Sequence, residues 1–352
     1  MISLDQVIGQ PQAVSLLRQA IAKERIAPAY LFAGPEGIGR RLTAQGFTTA
    51  LMTQGRSESE QRLVRYKLLK NNHPDLLWVE PTYQHQGKLY TPAQAQAAGL
   101  KRKAPPQIRI EQIRQLGEFL SRPALESPRC VVVIEAAQTM GESPANALLK
   151  TLEEPGRATL ILLAPSADSL LPTLVSRCQK IPFYRLPEAE MAQILTNQGY
   201  QHILADETVL AIAQGSPGAA IQIYELLSNV PQDLLRSLQQ LPQEPVGALQ
   251  LAKTLHDTLD PEIQLQLIDY LQYQYWQTFR HEGLVQRLEV IRKHLRSYVQ
   301  PRLVWETFFL EVASSGIAPP VERGELALNT AAGIAGDNIA LQKDKQNHHG
   351  QD

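Results

Sequence analysis

Four strand-length runs of almost unbroken apolar residues constrain this chain more than any other feature: AYLFAG at 29–34, DLLWVE at 75–80, CVVVIE at 130–135 and TLILLA at 159–164. Each is separated from the next by a segment long enough for a helix. A strand with one solvated face alternates apolar and polar residues, whereas a strand covered on both faces has no polar side to show. The runs therefore predict an α/β fold, a parallel sheet between layers of helices, over residues 1–185. Between the second and third runs, residues 81–107 are rich in Gln, Ala and Pro and read as a surface insertion. Its basic triplet, Lys101-Arg102-Lys103, is either a solvated charge run or a contact for DNA phosphates.

After Phe183 the character changes. Residues 186–230 read as a small helical unit, with Pro187 near a helix start and a turn at Gly215-Ser216-Pro217-Gly218. Residues 231–317 read as all-helical. Aromatics at helical spacing, as in IQLQLIDYLQYQYWQTF, are better explained by a core stripe than by base stacking. Residues 318–352 end in a polar stretch and are expected to be a flexible tail. A formal net charge of −1 supplies no global field toward DNA or an anionic membrane, so any DNA contact must be local or shared with partners. The start of the chain lacks a signal-peptide pattern, and no apolar stretch approaches the ~20 residues that span a bilayer. Cys130 and Cys178 are the only cysteines, too few for a disulfide framework or a cysteine zinc cage. The expectation is a cytoplasmic, globular protein with no membrane association.

The first run leads directly into Gly34-Pro35-Glu36-Gly37-Ile38-Gly39-Arg40-Arg41. A working phosphate loop reads G-x-x-x-x-G-K-[ST] between a strand and a helix, with its glycines letting backbone N–H groups face the phosphates. Here Gly34, Gly37 and Gly39 are present, but Arg40 stands at the lysine position and Arg41 at the position of the metal-binding hydroxyl. A guanidinium keeps positive charge but cannot ligate a metal. Either the segment is a strand-to-helix turn without a ligand, or it retains nucleotide or phosphate binding without magnesium. Glu135, closing the third run, is the acidic residue that would face such a metal.

A further ordered set makes the reading specific. Ser143-Pro144-Ala145-Asn146-Ala147-Leu148-Leu149-Lys150-Thr151-Leu152-Glu153-Glu154-Pro155 reads as a helix with Ser143 as its N-cap and Pro155 as its stop. A strand follows, then Ser176-Arg177-Cys178. This set resembles the bacterial clamp-loader AAA+ family, whose pattern is N-A-L-L-K-x-L-E-E-P followed by S-R-C. The likeness extends to Gly9-Gln10, His73-Pro74-Asp75 and Ile110-Glu111-Gln112-Ile113-Arg114, and covers residues 1–228 well. It implies a P-loop AAA+ sheet domain, a small helical lid (186–230) and an all-α collar (231–317).

What the resemblance implies for chemistry follows residue by residue. Arg177 would act as an arginine finger in trans, in the ATP site of a neighbouring subunit. Ala136 stands where active relatives carry a second carboxylate, and Gly218 where they carry a nucleotide-sensing arginine. The chain is therefore expected to hydrolyse no ATP and polymerise nothing, though it belongs to a polymerase assembly. Its implied partners are gamma/tau-type ATPase subunits and a delta subunit, with the sliding clamp and primer–template DNA met through the complex. The four-cysteine zinc module of many relatives is not expected: residues 52–72 hold no cysteine and read as a polar helix. No cofactor and no metal are expected. The alternatives are an active ATPase motor, which would need lysine at 40, Ser or Thr at 41 and a carboxylate at 136, and a stand-alone DNA-binding protein.

Overall fold

The computed structural model describes residues 3–100, 105–153, 156–297 and 299–316. Lys101-Arg102-Lys103, the helix stop at Pro155 and the 318–352 tail lie outside them. The described strands are β1 (Ala29–Ala33), β2 (Leu76–Val79), β3 (Tyr83–His85), β4 (Lys88–Tyr90), β5 (Cys130–Ile134), β6 (Ala158–Ala164) and β7 (Gln179–Pro182). β3 and β4 form a separate antiparallel hairpin; the other five make one sheet in the order β2-β5-β6-β1-β7, every neighbouring pair parallel.

Alternation along these strands feeds two cores. Tyr30, Phe32, Val131, Val133, Ile161 and Leu163 face one side, while Leu31, Val132, Ile134, Leu160 and Leu162 face the other. The helices of the first half are α1 (Pro11–Ala22), α2 (Arg40–Thr53), α3 (Glu58–Leu69), α4 (Pro92–Ala97), α5 (Ile110–Leu120), α6 (Glu142–Glu153) and α7 (Pro172–Val175). α1, α2 and α3 cover the first face; α5, α6 and α7 cover the second. With both faces covered, β1, β5 and β6 are free to be apolar throughout, which is why they stood out in the sequence.

α8 (Glu188–Asn197), α9 (Glu207–Ala213) and α10 (Pro217–Asn229) follow the sheet. Met191, Leu195, Val209, Ala213 and Ala220 share one continuous core with Phe32 and Phe47, so these helices are packed onto the sheet domain. The last five helices, α11 (Gln232–Gln239), α12 (Pro245–Thr258), α13 (Pro261–Phe279), α14 (Glu282–Arg296) and α15 (Pro301–Ser315), enclose a second core centred on Tyr275, Trp305 and Phe309. Two of its buried polar side chains are paired: Trp305 Nε1 donates to Gln264 Oε1 at 2.9 Å and the Tyr275 hydroxyl to the Leu238 carbonyl at 2.8 Å.

Three details depart from the sequence reading. α6 begins at Glu142, so Ser143 lies inside its first turn and is not its cap. β7 was not foreseen. The 81–107 insertion contains the hairpin and α4, with Gln86 and Gly87 at φ +48° and +77° closing the turn.

The His73-Pro74-Asp75 motif proves to be a structural knot. Buried Asp75 accepts N–H groups from Leu125, Glu126 and Ser127 at 2.7, 2.8 and 2.6 Å, and His73 Nδ1 accepts the Asp75 N–H at 3.2 Å. Burial pulls the His73 pKa below its ordinary value, against the opposing pull of Asp75 and Glu126. In the unfolded chain this imidazole titrates near about 6.5. Below that pH the unfolded state binds a proton the folded state resists, so stability falls as pH drops. Urea midpoints at pH 7.5 and 5.5 should show His73→Gln losing less on acidification than the parent; equal losses would deny His73 this role.

Candidate functional site

β1 delivers the chain to the carboxyl edge of the sheet, where ligands of open parallel sheets bind. The Gly34 N–H donates to the Ala164 carbonyl at 3.2 Å, anchoring the loop start against β6. Gly37 and Gly39 then take φ +75° and +100°, left-handed values that glycine adopts without a Cβ penalty, and α2 starts at Arg40.

The first turn of α2 places Arg41 against the ends of two other strands. Its Nη1 lies 2.9 Å from the Glu135 carboxylate, just beyond β5, and its Nη2 lies 3.1 Å from Glu80 Oε1, just beyond β2. Trp78 completes the cluster: its Nε1 donates to Glu135 Oε1 at 2.6 Å, and the Arg41 guanidinium carbon sits 5.4 Å from its ring centroid. Burial pushes the Glu135 carboxyl up, while Arg41 and the Trp78 N–H pull it back toward the ionised form. Arg40 lies deeper, its pKa lowered by burial and supported by Glu36 and Glu135. Its Nη1 is buried with no partner among the described residues.

In a phosphate loop that works, the hydroxyl at position 41 and the carboxylate at 135 would share a magnesium ion. Here a guanidinium bridges that carboxylate and a second one directly. The donor set therefore does not fit a divalent cation: the acidic ligands are committed to Arg41, and Arg41 offers no lone pair. Ala136, at φ +45°, presents a methyl group that can take no proton.

The start of α10 closes over the same loop. Ser216 caps α10 by accepting the Ala219 N–H at 3.2 Å, and its hydroxyl donates to the Glu36 carbonyl at 2.7 Å. The Gly218 N–H donates to the Gly37 carbonyl at 3.0 Å. The two backbones are so close that a Cβ on Gly218 would sit 2.5 Å from Gly37 Cα. Gln10 adds another tie, donating to the Ile38 and Tyr184 carbonyls at 3.2 and 2.7 Å. What remains is a cavity of about 560 Å³ bounded by Val7, Gly37, Gly39, Arg40, Arg41, Glu135, Ile194 and Gly218.

The structure thus brings Gly37, Gly39, Arg40, Arg41 and Glu135 to one cavity, with Gly34 anchoring its loop. Arg177 is placed elsewhere. It follows α7, its side chain is 38% exposed, and it pairs with Glu153 at 2.8 Å and donates to the Thr173 carbonyl at 3.1 Å. Neighbouring Cys178 has its thiol pushed up to about 11 by burial, which disqualifies it as a nucleophile at neutral pH. Trp78, Glu80 and Gln10 were missed as site residues. The available hint was that Trp78 and Glu80 lie two apart in one strand-length run, where alternate residues share a face.

The sequence matches two family models: residues 9–187 match "DNA polymerase III, delta subunit", and residues 189–312 match "Cyanobacterial DNA polymerase III delta prime, C-terminal domain". Among characterised proteins it is 33% identical over 195 residues to DNA polymerase III subunit delta' of Bacillus subtilis, a match covering 54% of this chain and 52% of that one. It is 29% identical over 261 residues to the subunit delta' of Pseudomonas aeruginosa, covering 69% and 70%. The chain thus spans about half of the first relative and about two thirds of the second. A solved gamma-subunit-related protein from Thermotoga maritima aligns with 86% of this chain and 99% of its own, at 16% identity and a TM-score of 0.49.

Proposed function

This chain belongs to the DNA polymerase III delta-prime family of clamp-loader AAA+ proteins, and from that premise we propose that it is the loader's non-hydrolysing subunit, offering Arg177 to a neighbour's ATP site. The observation that carries the silent site is the Arg41 bridge to Glu135 and Glu80. Phosphoryl transfer at a phosphate loop depends on a metal shell, an oriented water and charge stabilisation. The chain's own residues counter the first with Arg41 and withhold the second at Ala136. With Gly218 at the sensor position, no arginine follows the nucleotide from α10.

Arg177 has the opposite character. It is exposed, lies outside the glycine-loop cavity, and is held by Glu153 and Thr173 in a defined pose, which suits a group acting on another subunit. The partners in this reading are gamma/tau-type ATPase subunits and a delta subunit, with the sliding clamp and primed DNA met through the assembly. Residues 1–185 serve as the AAA+ domain, 186–230 as its lid and 231–317 as the collar that holds the ring together, in the cytoplasm.

The direct test is ATP turnover by the purified chain with magnesium. Background-level turnover is expected, unchanged in Arg41→Ala. Measurable turnover abolished by Arg40→Ala would overturn the silent-site reading and favour an ATP-hydrolysing subunit.

A further inference from the structure

We infer that the outer face of α3, together with Leu125, is a docking platform for an acidic amphipathic segment of a partner protein. This inference stands apart from the glycine-loop site and from Arg177. α3 is firmly seated: Val64 and Leu68 are buried in the first core, and Ser57 and Glu60 form a reciprocal cap at its start. Yet Leu63, Tyr66 and Leu69 are 54%, 59% and 59% exposed. Spaced three apart, they fill an arc of roughly 120° on one side of the helix.

Leu125 adds an exposed apolar side chain on the loop that Glu126 ties to α3. It is 77% exposed in a loop that cannot relax inward, because Asp75 holds the N–H groups of residues 125–127. Lys67 ties that loop to α3 through Glu126 at 2.6 Å. Scattered exposed leucines need no explanation, but a leucine held outward by an ordered loop whose next residue is tied to α3 is preorganised for contact.

Charge selects the occupant. Arg62 and Lys67 are paired with Glu58 and Glu126, whereas Arg65 and Lys70 have no carboxylate partner among the described residues. The face is therefore locally positive in a chain of net charge −1. A partner with carboxylates beside apolar side chains satisfies both features. A nucleic acid would leave the leucines against phosphate, and a two-fold contact with a second copy would set like charges against each other.

The test replaces Tyr66 by the photo-cross-linker p-benzoylphenylalanine in the full chain, expressed in its own cells, and identifies the adduct by mass spectrometry. The expected product is a cross-link to a protein segment bearing carboxylates next to apolar residues, lost when Leu63→Asp and Leu69→Asp are added. That segment, synthesised as a peptide, should bind the purified chain several-fold more weakly at 0.5 M than at 0.05 M salt, by the screening of exposed charges. A cross-link to nucleic acid or to a second copy, no cross-link at all, salt-independent binding, or co-sedimentation with vesicles of anionic phospholipid in place of a protein adduct would overturn the inference. Both Asp substitutions are on the surface, and an unchanged melting curve shows that loss of the adduct is not loss of fold.

Discussion

Arg177→Ala is expected to cut hydrolysis by about three orders of magnitude at the ATP site this residue faces, while leaving its own chain folded and assembled. An arginine finger supplied in trans contributes on the order of 10³ or more in rate by stabilising charge on the transferring phosphoryl group. The local cost of removing it is small. Arg177 and Glu153 are 38% and 54% exposed, so their ion pair is screened and contributes at most about 1 kcal/mol. Function and stability therefore separate, and that separation is the diagnostic. The measurement is single-turnover hydrolysis in a reconstituted loader whose other ATP sites are disabled, alongside the melting curve of the isolated variant. Arg177→Lys should fail almost as badly, because an ammonium cannot reproduce the planar two-point contact of a guanidinium. A normal rate in Arg177→Ala would end the proposed role.

Gly218→Arg should be strongly destabilising where α10 meets the glycine loop. In a hydrolysing relative an arginine at this place would be an asset; here it meets packed backbone. A Cβ would lie 2.5 Å from Gly37 Cα, and an α-carbon cannot swing aside like the end of a side chain. The variant must either lift α10 from the loop, losing the Gly218–Gly37 and Ser216–Glu36 hydrogen bonds, or distort the loop. Overpacking of this kind costs about 3 kcal/mol at the upper end of its usual range. At roughly 2 °C per kcal/mol for a chain of this size, the melting midpoint should fall by about 6 °C. No ATP affinity should be gained in exchange. A variant as stable as its parent would show that the contact between loop and helix is dispensable.

How much of this was readable beforehand depended on where the deciding contacts lie. β1, β5 and β6 were legible because burial on both faces left them uniformly apolar, and half-buried β2 because its run is apolar as well. β7 was not, because on the sheet edge only Ile181 is buried while Gln179 and Lys180 face solvent. The loss of the metal-binding hydroxyl was legible, since a single substitution at position 41 reports it. What took its place was not, because the partners of Arg41 lie 39 and 94 residues away, at the ends of two other strands. Trp78 and Glu80 sat in plain view within DLLWVE and read simply as strand. Gly218 registered as an absent arginine; only the fold shows that glycine is needed there for the two backbones to touch. The tie from Gln10 to Ile38 spans 28 residues, so no local pattern could announce it.

If the site is silent as proposed, the Arg41 bridge also bears on what a gain of activity would require. Replacing Arg41 by threonine alone would restore a metal-binding hydroxyl, but would leave Glu135 buried beside Glu80, which disfavours its ionisation, with Arg40 as its remaining counter-charge. The Arg40 guanidinium near Glu135 would still repel a cation. Position 136 would still lack its carboxylate, and Gly218 would still be fixed by packing. On the proposed reading, the guanidinium at 41, the methyl group at 136 and the packed glycine at 218 hold the centre quiet jointly, so no single substitution reopens it.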